Sequence, residues 1–339
     1  MKTLKFISIV IFFFLSGFVT EMFSQSKTGT TIGQFLKIEP SSRAAAMGNA
    51  GTSVSGEAAS MFYNPASLGR LSSIDVQFTY NKWVADILYN YAIAAVPLGE
   101  IGTFALQITS LNSGEIDVRT VEQPLGTGER YKVTNFALGI GYGLMLTDRV
   151  SVGTQISYFQ ETIWHSTLTG FAMNFGVSYE YESFSIGASV SNFGPRAGYE
   201  GRDLYINYDF DPKKYGDNDM LPAELRTDSY PLPTVFRVGV SYPFVFSEDY
   251  KLTVAIDAMH PNDNTEKVNV GAEFQLLQNI AIRGGYRDLF VPDSEGGLVL
   301  GVGVNVPFAG NSNVRFDYAW ADYGRLLETH RFTIGVTLF

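Results

Sequence analysis

The chain has 339 residues, no cysteine and a formal net charge of −10. Without cysteine there is neither a disulfide framework nor a lipidated N-terminal cysteine, and an acidic chain with no basic patch is not a nucleic-acid binder. Charged residues are only 17 % and aromatics reach 14 %, with 19 Tyr and 26 Phe; that combination calls for an apolar surface somewhere in the fold.

Residues 1–24 read as a secretory signal peptide. Lys2 and Lys5 form the positive n-region, and residues 6–19 are apolar apart from Ser8, Ser16 and Gly17. Residues 25–71 follow as a separate N-terminal segment. Within it the stretch FLKIEPSSRAAAMGNAGTSVSGEAASMFYNPASLG, residues 35–69, is the part of the mature chain that does not alternate as strand does. It is rich in Ala, Ser and Gly and holds two helix-like pieces. Ser41 or Ser42 can cap the first, and Gly48 or Asn49 suits a left-handed exit from it. Ser55 can cap the second, with Glu57 in its first turn, and Asn64-Pro65 forces the chain out.

Residues 72–339 carry about fourteen segments of period-2 alternation. In the first, Ile74, Val76, Phe78 and Tyr80 share one face, and Ser73, Asp75, Gln77 and Thr79 the other. Further segments lie near 86–97, 101–111, 131–146, 149–163, 168–181, 184–193, 234–246, 250–260, 265–276, 279–288, 297–307, 313–321 and 328–339. In the last, Phe332, Ile334, Val336 and Leu338 oppose Arg331, Thr333, Gly335 and Thr337. No mature segment approaches the roughly 18 apolar residues of a membrane helix, but strands of this length can cross a bilayer at a tilt.

Connector lengths alternate. Residues 98–100, 147–148, 182–183, 247–249, 277–278 and 309–312 are tight, and between most of them come the longer 112–130, 164–167, 194–233, 261–264, 289–296 and 322–327. Tight turns at one rim and longer loops at the other are what an all-β transmembrane antiparallel β-barrel of about 14 strands predicts, with both termini at the tight-turn rim. Glycine alternations such as Gly139-Ile140-Gly141-Tyr142-Gly143 and Gly301-Val302-Gly303-Val304 mark where the wall bends or where the N-terminal segment packs against it. Tyr80, Trp83, Tyr89, Tyr91, Tyr158, Tyr179, Tyr242, Tyr318 and Trp320, near segment ends, suit interfacial girdles.

The loop 194–233 mixes Tyr205, Tyr208, Phe210, Tyr215 and Tyr230 with Asp203, Asp209, Asp211, Asp217, Asp219 and Asp228. Pro195, Pro212, Pro222, Pro231 and Pro233 argue against ladder pairing within it. A solvated surface loop and a partner-binding or lid-forming loop both fit, the second because exposed aromatics gain energy at interfaces.

Chemistry is sparse. His165, His260 and His330 are far apart in sequence and none has a metal-ligand spacing. No nucleophile elbow, P-loop or dinucleotide fingerprint occurs, and Asp257, Asp263, Asp293 and Asp317 have no spacing that compels a site. The chain therefore reads as non-enzymatic, with no catalytic, cofactor or metal residues. A hydrolase on a barrel scaffold is the weighed alternative.

The runs Phe35-Leu36-Lys37-Ile38, Ser42-Arg43-Ala44-Ala45-Ala46-Met47-Gly48-Asn49-Ala50 and Tyr63-Asn64-Pro65-Ala66-Ser67-Leu68 resemble the N-terminal signature of the PorV/PorQ family of Bacteroidetes-type outer-membrane proteins. That family is related to the fatty-acid channel FadL. The resemblance implies a barrel whose N-terminal segment forms a hatch of short helices inside the lumen, with Arg43, Met47, Gly48, Asn49, Asn64, Pro65 and Ala66 as its motif. It also implies the outer membrane of a Gram-negative, Bacteroidetes-like bacterium, with outer-membrane lipids around the barrel. Its functional implication is a part in type IX protein secretion, with a translocon or attachment-complex protein and secreted cargo as partners; a FadL-like channel for hydrophobic small molecules is the alternative. The run Ala44-Ala45-Ala46 is less polar than is usual for the PorV subgroup, which places the chain as a general PorV/PorQ-like paralogue. The terminal Thr337-Leu338-Phe339 resembles the aromatic end of barrel proteins.

Overall fold

The computed structural model describes residues 27–209, 213, 220–291, 294–308 and 312–338. The expected signal peptide, Phe210 and Tyr215 of the long loop, Asp293 and the terminal Phe339 lie outside them.

Fourteen long strands carry the fold: β1 (Ile74–Lys82), β2 (Leu88–Pro97), β3 (Thr103–Asp117), β4 (Arg130–Met145), β5 (Val150–Ile163), β6 (Ser166–Tyr181), β7 (Phe184–Phe193), β8 (Val235–Val245), β9 (Tyr250–Pro261), β10 (Lys267–Leu276), β11 (Ile280–Leu289), β12 (Leu298–Phe308), β13 (Ser312–Asp322) and β14 (Glu328–Leu338). Each pairs antiparallel with its neighbours in sequence, and β1 pairs with β14 from Ile74↔Leu338 to Lys82↔His330, which closes the barrel. Closure leaves no edge strand, the condition for crossing a bilayer with strands.

Burial is inverted relative to a water-soluble sheet. On β1 the inward Asp75, Gln77, Thr79 and Asn81 are buried, while Val76, Phe78 and Tyr80 are exposed. On β14 Thr329, Arg331 and Thr333 are buried, whereas Phe332, Ile334 and Leu338 are exposed. A band of exposed Phe, Leu, Ile and Val with a polar lumen is the surface of a membrane barrel. It accounts for the low charge and high aromatic content of the sequence.

Two expectations change at the level of elements. Tyr89 and Tyr91 are not girdle residues: each is 1 % exposed. The parity of β2 turns Tyr89, Tyr91, Ile93 and Ala95 inward, where they cluster with Ala58, Met61 and Leu68 of the N-terminal segment. β3 also runs beyond residue 111 into the expected loop, passing a register irregularity between Asn112 and Glu115. Arg130 bridges Glu115 at 2.9 Å and Asp117 at 3.1 Å, so cross-strand charge pairs carry the ladder past the apolar band.

The N-terminal segment lies within the wall and runs from one rim to the other. At the far rim the Ile32 N–H donates to the Pro231 carbonyl, and Gly33 N–H donates to Glu161 at 3.2 Å. At the rim that holds both ends of the barrel, Arg70 reaches Glu180 at 2.8 Å and the Arg149 carbonyl at 2.8 Å. Between these ends come the helix Ser42–Ala46 and the 3-10 turns Gln34–Lys37, Ala58–Phe62 and Pro65–Arg70. Ser41 caps the helix, its side chain accepting from Ala44 N–H at 3.1 Å. Gly48 and Asn49 both take the left-handed exit, with φ of 67° and 63°. Ser55 caps nothing. Glu57 precedes the second turn and its carboxylate accepts from the Ser41 hydroxyl, tying the two pieces side by side. Asn64-Pro65 ends the second turn and also starts the third: Asn64 Oδ1 accepts from Ala66 N–H at 3.0 Å, and proline suits the first position because it lacks the N–H that would go unused there.

Candidate functional site

The candidate site is the contact between the N-terminal segment and the lumenal wall. Arg43 reaches from the short helix to β10, where Nε lies 2.8 Å from Glu273 Oε2 and Nη2 2.7 Å from Oε1. This two-point geometry suits the planar guanidinium and fixes direction as well as charge. Glu273 also accepts from Arg283 Nε at 2.7 Å, and Arg283 Nη1 continues to Asp317 at 2.6 Å. Arg315 lies 3.1 Å from Asp317, 3.5 Å from Glu57 and 3.7 Å from Asp75. A chain of alternating charges thus links the segment to β1, β10, β11 and β13. Buried charges are tolerable only when paired in this way.

The wall is shaped to the segment. A Cβ at Gly271 would overlap the Met47 carbonyl, one at Gly153 the Pro65 carbonyl, one at Gly187 the Thr52 carbonyl, and one at Gly176 the Asn64 amide. Gly141 and Gly143 face Met61, Leu68 and Gly69, and Gly301 faces Ala46. Gly285 faces Gly48 and Met47, and Gly239 faces Thr52, so eight of the wall strands, β4, β5, β6, β7, β8, β10, β11 and β12, use glycine where the segment's backbone or side chains come closest. Gly48 has the reciprocal constraint: its φ is +67° and a Cβ there would meet the Val270 carbonyl.

The remaining motif residues serve the same contact. Met47 and Ala66 are fully buried. Asn49 Oδ1 accepts from the Tyr63 hydroxyl at 3.3 Å. Asn64 Nδ2 donates at 3.0 Å both to Thr52 O, in the segment, and to Val177 O, in β6. A buried amide with both ends used in this way ties the segment's own backbone to that of the wall. A second tether joins Thr52 to β9, with its N–H 2.9 Å and its hydroxyl 2.6 Å from Asp257 Oδ2.

The family described as type IX secretion system protein PorV matches residues 21–262. The chain belongs to the PorV family. Solved structures similar to this PorV-family chain include the Pseudomonas putida toluene transporter TodX, at 12 % identity and TM-score 0.55, covering 88 % of this chain and 97 % of that one. The CymD monoaromatic hydrocarbon channel is also 12 % identical with TM-score 0.55, over 88 % and 96 %. The Ralstonia pickettii toluene transporter TbuX is 13 % identical with TM-score 0.52, over 89 % and 98 %. At such identity the likeness is one of fold alone, the closed barrel shared with these transporters and this channel. No curated protein sequence matches significantly.

At the far rim of this PorV-family barrel, residues 31–37 cross the mouth and converge on Asp263. Thr31 Oγ1 lies 2.6 Å, Gln34 Nε2 2.7 Å and Lys37 Nζ 2.9 Å from Asp263 Oδ2. Burial raises the Asp263 carboxyl pKa, but these hydrogen bonds and the Lys37 charge outweigh it and hold the group below its usual range. Beside this strap, the loop between β7 and β8 presents Tyr205, Tyr208 and Tyr230, which are 66 %, 49 % and 44 % exposed. Contrary to the expectation from its prolines, the loop contains a two-stranded hairpin, Tyr205–Tyr208 against Leu221–Glu224, with Pro222 opposite Asn207. Pro222 fits because an edge strand can leave one side of its backbone without a ladder partner.

The three histidines are not brought together. His165 contacts Asp203 at 2.8 Å, His260 contacts Glu266 at 3.0 Å and His330 contacts the Tyr318 hydroxyl at 2.8 Å. Asp257, Asp263 and Asp317 are likewise engaged with different parts of the segment and wall. Sequence reasoning singled out Arg43, and named Asp317 without giving it a partner, but did not find Glu273 and Arg283, which join the two. Their positions on the polar face of alternating strands were a usable signal for a lumenal location, but not for this pairing.

Proposed function

We propose that this PorV-family protein acts as a non-enzymatic docking component of type IX protein secretion, with residues 25–71 as a fixed hatch and the far-rim loop as the partner surface. The observation that carries the reading is the two-point Arg43–Glu273 contact set among wall glycines that admit the segment's backbone. A segment held at this many points braces the barrel and supports a platform. The exposed tyrosines beside the strap supply rigid, amphipathic contact area for a partner. Affinity purification from native membranes in gentle detergent tests the reading. Recovery of a translocon or attachment-complex protein, or of secreted cargo, is the expected result, and recovery of the barrel alone counts against it.

One observation favours the alternative of a channel for hydrophobic molecules. A cleft of about 720 Å³ at the far rim is lined by Ile116, Val118, Tyr131, Ile163, Trp164 and Tyr199 among its residues. Its size and apolar lining suit a small hydrophobic ligand. Extraction and mass spectrometry of the purified barrel would reveal such a ligand, and deletion of the gene would lower uptake of an apolar substrate.

A further inference from the structure

Arg237, Arg287 and Arg331, buried in the far half of the lumen, lack the charge partners that the Arg43 network has, and the first two share a cavity. Arg237 on β8 is 3 % exposed and Arg287 on β11 is 9 % exposed, yet neither forms an ion pair among the described residues. Arg237 donates one hydrogen bond, to Ser191 Oγ at 2.8 Å, and lies over the Phe62 ring at 5.6 Å. Arg287 lies over the Tyr323 ring at 4.3 Å. Both line one cavity of about 110 Å³, which the strap residue Lys37 also borders. Two other charges at the cavity are already matched: Lys37 by Asp263 at 2.9 Å and Lys267 by Asp288 at 3.1 Å. Glu39 also lines the cavity and forms no ion pair among the described residues. Two unpaired guanidiniums against one such carboxylate leave a surplus positive charge in a small, largely enclosed space. A buried charge without a partner is costly, and a ligand that supplies the counter-charge recovers that cost.

We infer that this cavity is a binding site for a small tetrahedral oxyanion of the phosphate class, held between Arg237 and Arg287 beneath the strap. The two guanidiniums come from different strands, so each can take its own pair of oxygens, which a phosphate can offer and a single carboxylate cannot. The small volume, with Lys37 and Glu39 at its border, favours a free ion over a lipid headgroup that carries its acyl chains. The inference stands apart from the secretion reading, because it concerns the lumen and not the far-rim loop.

The test uses the full-length protein purified in detergent and titrated with inorganic phosphate, read by calorimetry and by the thermal unfolding midpoint. Saturable binding is expected with phosphate and not with chloride or acetate at matched ionic strength. Arg287→Gln and Arg237→Gln should each abolish it, with the heat-modifiable gel shift of folded barrels checking that the variants fold. Glu39→Gln removes the competing carboxylate and should tighten phosphate binding on the order of tenfold. That variant keeps the inference falsifiable if the arginine variants fail to fold. A second arm replaces phosphate with a short-chain phosphatidic acid, which should bind no better than its detergent control. Equal responses to phosphate, acetate and chloride would overturn the inference. So would unchanged phosphate affinity in Glu39→Gln, or binding of the lipid phosphate alone.

Discussion

Arg43 and Glu273 are joined by two hydrogen bonds, and Glu273 is 1 % exposed, so removing the arginine strands a carboxylate in the lumen with only Arg283 beside it. Arg43→Ala should cost about 3–5 kcal/mol, the usual scale for breaking a buried pair from one side. Arg43→Lys should recover only part of this, because an ammonium cannot reproduce the two-point contact. Thermal unfolding of the purified barrel measures both, and an unfolding midpoint unchanged in Arg43→Ala would show that the contact does not hold the segment. At this scale the sequence was informative where a residue type has few uses. Gly48 and Asn49 suggested a left-handed exit, and both adopt it. It was uninformative about Glu273, Arg283 and Asp317, because alternation places a side chain inside or outside but does not say which inward groups meet across strands and the segment.

Among the elements, the strap at 31–37 depends on a single carboxylate, and the sign of its pH response follows from Asp263. A carboxyl held below its ordinary range in the folded state stabilises that state at pH values above the ordinary range, and this contribution is lost as pH falls through the depressed value. The strap should therefore stay seated at neutral pH and loosen under acid, below about pH 4. Hydrogen exchange of residues 31–37 across pH measures this. Asp263→Asn should show the loosened state at all pH values, and a strap equally protected at acid and neutral pH would refute the role of Asp263. The neighbouring hairpin carries a separate prediction. Tyr205→Ala combined with Tyr208→Ala should weaken partner capture by at least about 2 kcal/mol, as loss of an interface hot spot does, and leave barrel unfolding unchanged. Undiminished capture would remove these tyrosines from the interface. Element existence was largely legible, because period-2 alternation survives in a barrel with its polarity reversed. Element function was less so: Asn64-Pro65 reads as a break in local sequence, and its second role, tying the segment to β6 through Asn64 Nδ2 and the Val177 carbonyl, has no local signal.

For the whole molecule, the question is whether the closed barrel is a pore or a braced platform. The inward faces of β1, β5 and β14 carry Gln77, Thr79, Gln155, Ser157, Arg331 and Thr333, which in an empty lumen would line a water path. The N-terminal segment occupies that space from the Pro231 carbonyl at one rim to the Arg149 carbonyl at the other. It fits there because the wall strands give up side chains at Gly153, Gly176, Gly187, Gly271 and Gly301. Glycine destabilises a strand, so placing it on so many strands at the points of contact is a cost that makes sense only if the segment is normally in place. Removing residues 31–70 should therefore convert the barrel from a closed to an ion-conducting state in a planar bilayer, with the full-length protein showing little steady conductance. Gly271→Leu, which forces a side chain into the space of the Met47 carbonyl, should give intermittent conductance by displacing the segment and leaving the barrel intact. If the deletion conducts no better than the full chain, the segment is not what closes the lumen. If the full chain itself conducts steadily, the contacts along the wall leave a path beside it, and the channel reading gains over the platform.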